Sequence, residues 1–353
     1  MSRQKSADGI VANARSNARF MAKAQTFHKE EPYGSQENAI LTLYGFSWRI
    51  MEKPALNDSL MDLILTSENM NRAWKQVKSN GGSPGVDGIT IEMFSDYLQK
   101  RWQKIKRALH SGYYVPAPVQ RVEIPKKNGG TRMLGIPTVM DRVIQQAIAQ
   151  VLNPIFDPGF SESSFGFRPG RSAHEAVRQV NRFVQAGYGY AVDLDLEKFF
   201  DTVDHDILMH LVGRKVRDKT VLRLIGRYLR AGIKDRSGKT TPTTIGTPQG
   251  GPLSPLLSNI LLDQFDKELE RRDLRFARYA DDGIILTKCL CEGKTILTEI
   301  TEYLSKKLKL VVNRKKSKVA KIAECSFLGF TFKGKKIRWT EISFQDFQYR
   351  LKY

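Results

Sequence analysis

The sequence predicts an α+β fold, and three observations lead there. Helix-like and strand-like segments alternate irregularly, not in the regular strand–helix order of a parallel sheet. The 353 residues are 41% hydrophobic and 10% aromatic, enough for a packed core in one large domain or two to three smaller ones. No stretch approaches the roughly 18 apolar residues of a membrane span, so a membrane-spanning class is not expected.

Residues 1–59 have weak periodicity and scattered Ser, Asn, Gly and Arg, which reads as an N-terminal extension without an assigned role. One short helix is expected there, near Gln36–Met51. From Leu60 to Val77 the apolar spacing of LMDLILTSENMNRAWKQV is helical, and the glycine-rich NGGSPGVDG (80–88) ends it. A second helix follows in IEMFSDYLQKRWQKIKRALHSG, with Met93, Phe94, Leu98, Trp102 and Ile105 on one face. YVPAPVQRVEIPKKNGGTRMLGIPT reads as two short strands joined by a turn at Lys127–Gly130. Val143, Ile144, Ala147, Ile148 and Val151 then mark another helix. In YAVDLDLEKFFDTVDHD (190–206), Val192, Leu194 and Leu196 alternate with Asp193 and Asp195. That is strand period, and it puts both aspartates on the side away from the apolar residues. RFARY and GIIL flank Asp281–Asp282 as the arms of a hairpin, with the acids near its tip and Asp-Gly as the turn signal.

The formal net charge is +20, from 57 Lys+Arg against 37 Asp+Glu, which favours a polyanionic partner. Between Lys306 and Arg338 the acids dwindle to Glu324 alone. Three cysteines, Cys289, Cys291 and Cys325, make no disulfide framework and lack zinc spacing, which fits reduced thiols in a cytoplasmic setting. The polar N-terminus lacks an apolar secretory core. Against that background, two adjacent acids between apolar runs ask for a compensating charge. A strand carboxylate plus an acidic pair on a hairpin makes an oxygen-donor set for two Mg2+ ions of the kind that serve phosphoryl transfer.

YADD (279–282) resembles the central signature of reverse transcriptases, and GTPQGGPLSPLLSNILLDQFDKELE (246–270) their glycine-glutamine motif. With SFGFRPGRSAHEAV (164–177), RMLGIPTVMDRVIQQAI (132–148), LEKFFDTVDHD and FLGF (327–330), the chain is similar to bacterial group II intron reverse transcriptase/maturases from about residue 60 to about 335. The resemblance implies a right-hand polymerase fold with fingers and palm and an antiparallel palm sheet. It places a helical template-covering segment at 60–110, fingers and palm at 111–335, and the start of a thumb, largely absent, at 336–353. Asp195 lies five residues before an aromatic steric gate, Phe200. The resemblance makes Asp195, Asp281 and Asp282 the catalytic metal ligands, with Leu196 as a further ligand and Asp193 as a lesser candidate. Two Mg2+ ions are the implied cofactor, replaceable by Mn2+. Lys126, Arg132, Phe200, Gln249, Gly250 and Lys316 are the implied dNTP contacts. Arg168, Arg171, Leu328 and Gly329 are the implied contacts to nucleic acid. The implied partners are an RNA template, a DNA or RNA primer, dNTPs and a group II intron RNA. Alternative readings are a mainly non-catalytic intron RNA-binding module, or a retron, diversity-generating or defence-associated relative.

Overall fold

The computed structural model describes residues 59–125, 131–235, 237–334 and 336–352. The helix expected near Gln36–Met51, Lys126 and the Lys127–Gly130 turn lie outside them. The described residues fall in two compact units, one within Met1–Phe156 and Met209–Ser254, the other within Asp157–Leu208 and Pro255–Tyr353.

In the first unit, α1 (Leu60–Ile64) and α2 (Ser67–Asn80) stand where one continuous helix was expected. Thr66 divides them. Its backbone is extended and its hydroxyl accepts the Asn69 amide, so the chain restarts a capped helix rather than continuing the first. α3 (Phe94–His110) buries Phe94 and Leu109, while Met93, expected on the packed face, lies just ahead of the first turn and is exposed. β1 (Val119–Pro125) and β2 (Thr131–Ile136) pair antiparallel as expected. α4 (Val139–Phe156) buries Val143, Ile144, Ala147, Ile148 and Val151.

The second unit begins with α5 (Ala173–Gln185), started by a reciprocal capping box between Ser172 and Glu175. β3 (Tyr190–Leu194) and the single turn α6 (Phe199–Thr202) follow. α7 (His205–Gly213) carries the chain back to the first unit, where α8 (Lys219–Leu229) is capped by Asp218. There β4 (Ile233–Lys234) pairs parallel with β1 and antiparallel with β5 (Thr240–Thr241), so the sheet runs β2-β1-β4-β5.

The rest of the chain forms α9 (Ser254–Arg271), β6 (Arg275–Tyr279), β7 (Asp282–Thr287), α10 (Leu290–Leu308) and β8 (Lys318–Lys321). Strands β9 (Ser326–Phe327), β10 (Phe330–Lys333) and β11 (Lys336–Trp339) make a small sheet, and α11 (Glu341–Lys352) ends the described chain. The main sheet of this unit runs β6-β7-β3-β8 and is antiparallel throughout, as expected. Both of its faces are covered. Ala176, Val177 and Val180 of α5 join Ala191, Ala277, Ile284 and Leu286 on one side. On the other, α10 lies so close that a Cβ at Gly293 would meet Val319 at 2.5 Å and Val192 at 3.6 Å. Burial on both sides explains why Ala191 and Val192 are each buried, and why the side bearing the aspartates opens to water only at the end of β3. Among the described residues, no helix is long and apolar enough to cross a membrane.

Candidate active site

Asp193 and Asp195 lie at the end of β3, and the sheet brings the acidic hairpin beside them. Tyr279 pairs with Asp282, so the turn is Ala280–Asp281 and not Asp282–Gly283. Gly283 sits inside β7, between Leu194 of β3 and Arg278 of β6, with the Phe265 ring 4.0 Å from where its Cβ would be. One further step of the β3–β7 register faces Asp195 with Asp282.

The main chain at Asp195 is clamped from the segment before β8. Its N–H donates to Ser317 Oγ (3.0 Å), and its carbonyl accepts the Asn313 N–H (2.9 Å) and the Ser317 hydroxyl (3.3 Å). Leu196 is buried and bridges to Val312, but the bridge's hydrogen bonds run through Asp195 and Glu197, so the Leu196 carbonyl is not among its acceptors. The same segment brings Lys316 Nζ to 3.5 Å from Asp195 Oδ2.

Desolvation, followed by repulsion from Asp193, Asp281 and Asp195, pushes the Asp282 carboxyl up to about 7. The residue keeps an exposed face, so water weakens the desolvation part and the crowding of four carboxylates carries more of the effect. Asp193 is raised as well, by desolvation against the core, with Lys318 opposing and Asp195 adding to the rise. Among the described residues, no three of His, Cys, Asp and Glu stand together as a ready metal cage. The donor set nevertheless fits a hard cation. It consists of oxygen ligands under mutual repulsion, and Mg2+ keeps several waters and takes substrate phosphates to complete its shell.

The other residues named from the sequence divide. Phe200 and Phe199 are both buried, their rings edge-on at 5.2 Å. In the first unit, the Gln249 carbonyl accepts the Gly135 N–H of β2 (2.8 Å), the strand that carries Arg132. A Cβ at Gly250 would stand 2.5 Å from the Gly135 carbonyl, and one at Gly251 would overlap the Gln145 side chain. These glycines thus let the loop approach the protein's own strand and helix. Leu328 and Gly329 both take positive φ, 52° and 83°, as the two-residue turn between β9 and β10.

The two arginines expected at nucleic acid are both engaged within the protein. Arg168 is buried, and its guanidinium is held by the Asp157 carboxylate and carbonyl and by the Ser161 and Ser164 carbonyls. Arg171 pairs with Glu162 and lies over the Phe165 ring. Both guanidiniums help shape the loop before α5, and Arg171 keeps a partly exposed side chain.

Arg278 and Ser317 were not singled out from the sequence. Arg278 shares a strand side with Phe276, and that pattern in RFARY was the available sign of a buried arginine. Ser317 left none, since its partner is 122 positions away.

The family model described as "Reverse transcriptase (RNA-dependent DNA polymerase)" matches residues 124–332. Protein YkfC of Escherichia coli is 32% identical over 82% of this chain and 86% of its own length. The group II intron-encoded protein LtrA of Lactococcus lactis is 36% identical over 70% of this chain, which spans 40% of that relative. Nuclear intron maturase 2 of Arabidopsis thaliana is 30% identical over 41% of this chain and 25% of its own length. Apo telomerase from Candida Tropicalis has a similar fold, with a TM-score of 0.50 at 13% identity, over 68% of this chain and 53% of that one. Motif order, the antiparallel sheet with its acidic end and these likenesses agree: the chain belongs to the reverse transcriptase (RNA-dependent DNA polymerase) family, in its group II intron reverse transcriptase/maturase branch.

Proposed function

We propose that this chain joins dNTPs to the 3′-hydroxyl of a primer on an RNA template, with Asp195, Asp281 and Asp282 as the catalytic carboxylates. The observation that carries the reading is their convergence at one end of the second unit's sheet, close enough to push Asp282 up to about 7. The primer oxygen forms a bond to the α-phosphorus, the bond to the β-phosphate bridge breaks, and pyrophosphate leaves. Bound Mg2+ would lower the pKa of the attacking hydroxyl and stabilise charge on the leaving oxygen. The three aspartates would hold the cations, with Asp193 adding negative potential beside them. Lys316, next to Asp195, supplies positive charge where pyrophosphate departs. Phe200 limits the room beneath the incoming sugar. Leu328–Gly329 steadies the primer end.

A second role, binding an intron RNA during splicing, is favoured by the likeness to LtrA and by the basic run at 306–338. The two roles are compatible.

Primer extension on an RNA template with dNTPs and Mg2+ tests the reading. The parent chain should extend, and Asp281→Ala/Asp282→Ala should not while keeping its circular dichroism. Extension that survives the double substitution removes these carboxylates from catalysis. A folded, RNA-binding parent that never extends favours the splicing role alone.

A further inference from the structure

We propose that Arg278 is the positioning residue of the acidic turn and sets how tightly Asp281 and Asp282 hold a divalent cation, without touching cation or substrate. The inference rests on the reading of that turn as a metal site.

Arg278 is 2% exposed and uses all five guanidinium N–H donors. Nε and Nη2 reach both carboxylate oxygens of the fully buried Asp266, at 2.7 and 2.5 Å. Nη2 also donates to Ser164 Oγ (2.7 Å), and Nη1 donates to Asn259 Oδ1 (3.1 Å). The remaining Nη1 donor goes to the Ala280 carbonyl at 2.7 Å. That carbonyl belongs to the peptide linking Ala280 to Asp281, so the bond fixes the plane from which the first acid departs.

Ala280 needs such a hold, because its φ is 59°, a region that favours glycine. A second clasp closes on the same residue. The Gly166 backbone lies so near that a Cβ there would overlap the Ala280 nitrogen. Asn259 Nδ2 donates to the Gly166 carbonyl (2.8 Å) while its Oδ1 accepts from Arg278. One buried amide thus ties the clasp to the guanidinium. The Arg278 main chain joins too, with N–H to the Ser163 carbonyl and carbonyl to the Phe165 N–H.

A plain core ion pair is the competing account. Buried ion pairs do little for stability compared with apolar packing of equal volume, and packing alone does not require a donor aimed at the turn. Lysine, with three donors and no planar fork, cannot reproduce the set.

The test compares the full chain with Arg278→Lys, Asn259→Ala and Asp281→Ala/Asp282→Ala. Mn2+ binding is read from the electron spin resonance signal of the free ion, beside thermal melting and primer extension. Arg278→Lys should fold, weaken Mn2+ binding on the order of 10- to 100-fold, and lower kcat with little change in KM for dNTP. High Mn2+ should restore part of the rate. Asn259→Ala, which spares the Asp266 fork, should shift in the same direction. Wild-type Mn2+ affinity in a folded Arg278→Lys overturns the proposal, as does failure of both single variants to fold. Parent Mn2+ binding equal to that of the double alanine variant overturns the metal-site reading itself, a distinguishable failure.

Discussion

The Asp282 carboxyl is raised to about 7 by desolvation and then by the three acids beside it, Asp193, Asp281 and Asp195. Without metal, the folded chain holds that proton more tightly than an unfolded aspartate, whose pKa is about 3.9. Between about pH 4 and 7 the folded state therefore binds more protons at this site, so its contribution to stability falls as pH rises. Melting in chelator should show a steeper decline over that range for the parent than for Asp282→Asn. Equal slopes would remove Asp282 as the raised group. Mg2+ affinity should run the other way and strengthen above pH 7. The acids at 193, 195, 281 and 282 were all visible in the sequence, because alternation and the adjacent pair are local patterns. The groups that hold their backbone, Ser317 and Arg278, were not singled out: Ser317 lies 122 positions from Asp195, and the Phe276–Arg278 alternation marks a buried side without naming the partner it meets.

Elements were legible where period and caps agree, and misread where one capping residue overrules the period. Thr66 splits a continuous apolar pattern into α1 and α2 because its hydroxyl captures a free amide. Asp282–Gly283 carries the turn signal, yet the register sets the turn two residues earlier, at Ala280–Asp281, and leaves Gly283 inside β7. The glycine pair at 250–251 is explained by close packing, and its two members should respond differently. Gly250→Ala meets the backbone carbonyl of Gly135 and adds a side chain at φ 121°, so nothing nearby can yield. Gly251→Ala meets the end of the Gln145 side chain, which can rotate away. Chemical denaturation should show Gly250→Ala losing on the order of 1–3 kcal/mol and Gly251→Ala clearly less. The reverse order would mean that the loop rather than the strand gives way.

Over the molecule as a whole, charge is the property that acts at a distance. Every basic residue described in the 306–338 run is exposed, and α3 in the other unit presents Lys100, Arg101, Lys104 and Arg107 to water. Affinity for RNA should therefore fall linearly in log–log form with salt, with a slope near −0.7 per phosphate neutralised on a single strand. Fluorescence anisotropy with a short RNA measures it, and a flat response between 50 and 200 mM salt, a range where phosphate contacts dominate, would rule out an electrostatic footprint.

The kind of chemistry was already written in the chain: acidic motifs, a glycine-glutamine loop and excess positive charge each live within a few consecutive residues. Tertiary structure alone decided that Arg168 and Arg171 stabilise a loop, that Arg278 grips the acidic turn, and that Gly250 faces the protein's own strand. Period and composition record which side of an element is apolar. The identity of a buried polar partner depends instead on two distant segments meeting, and that information is held by packing.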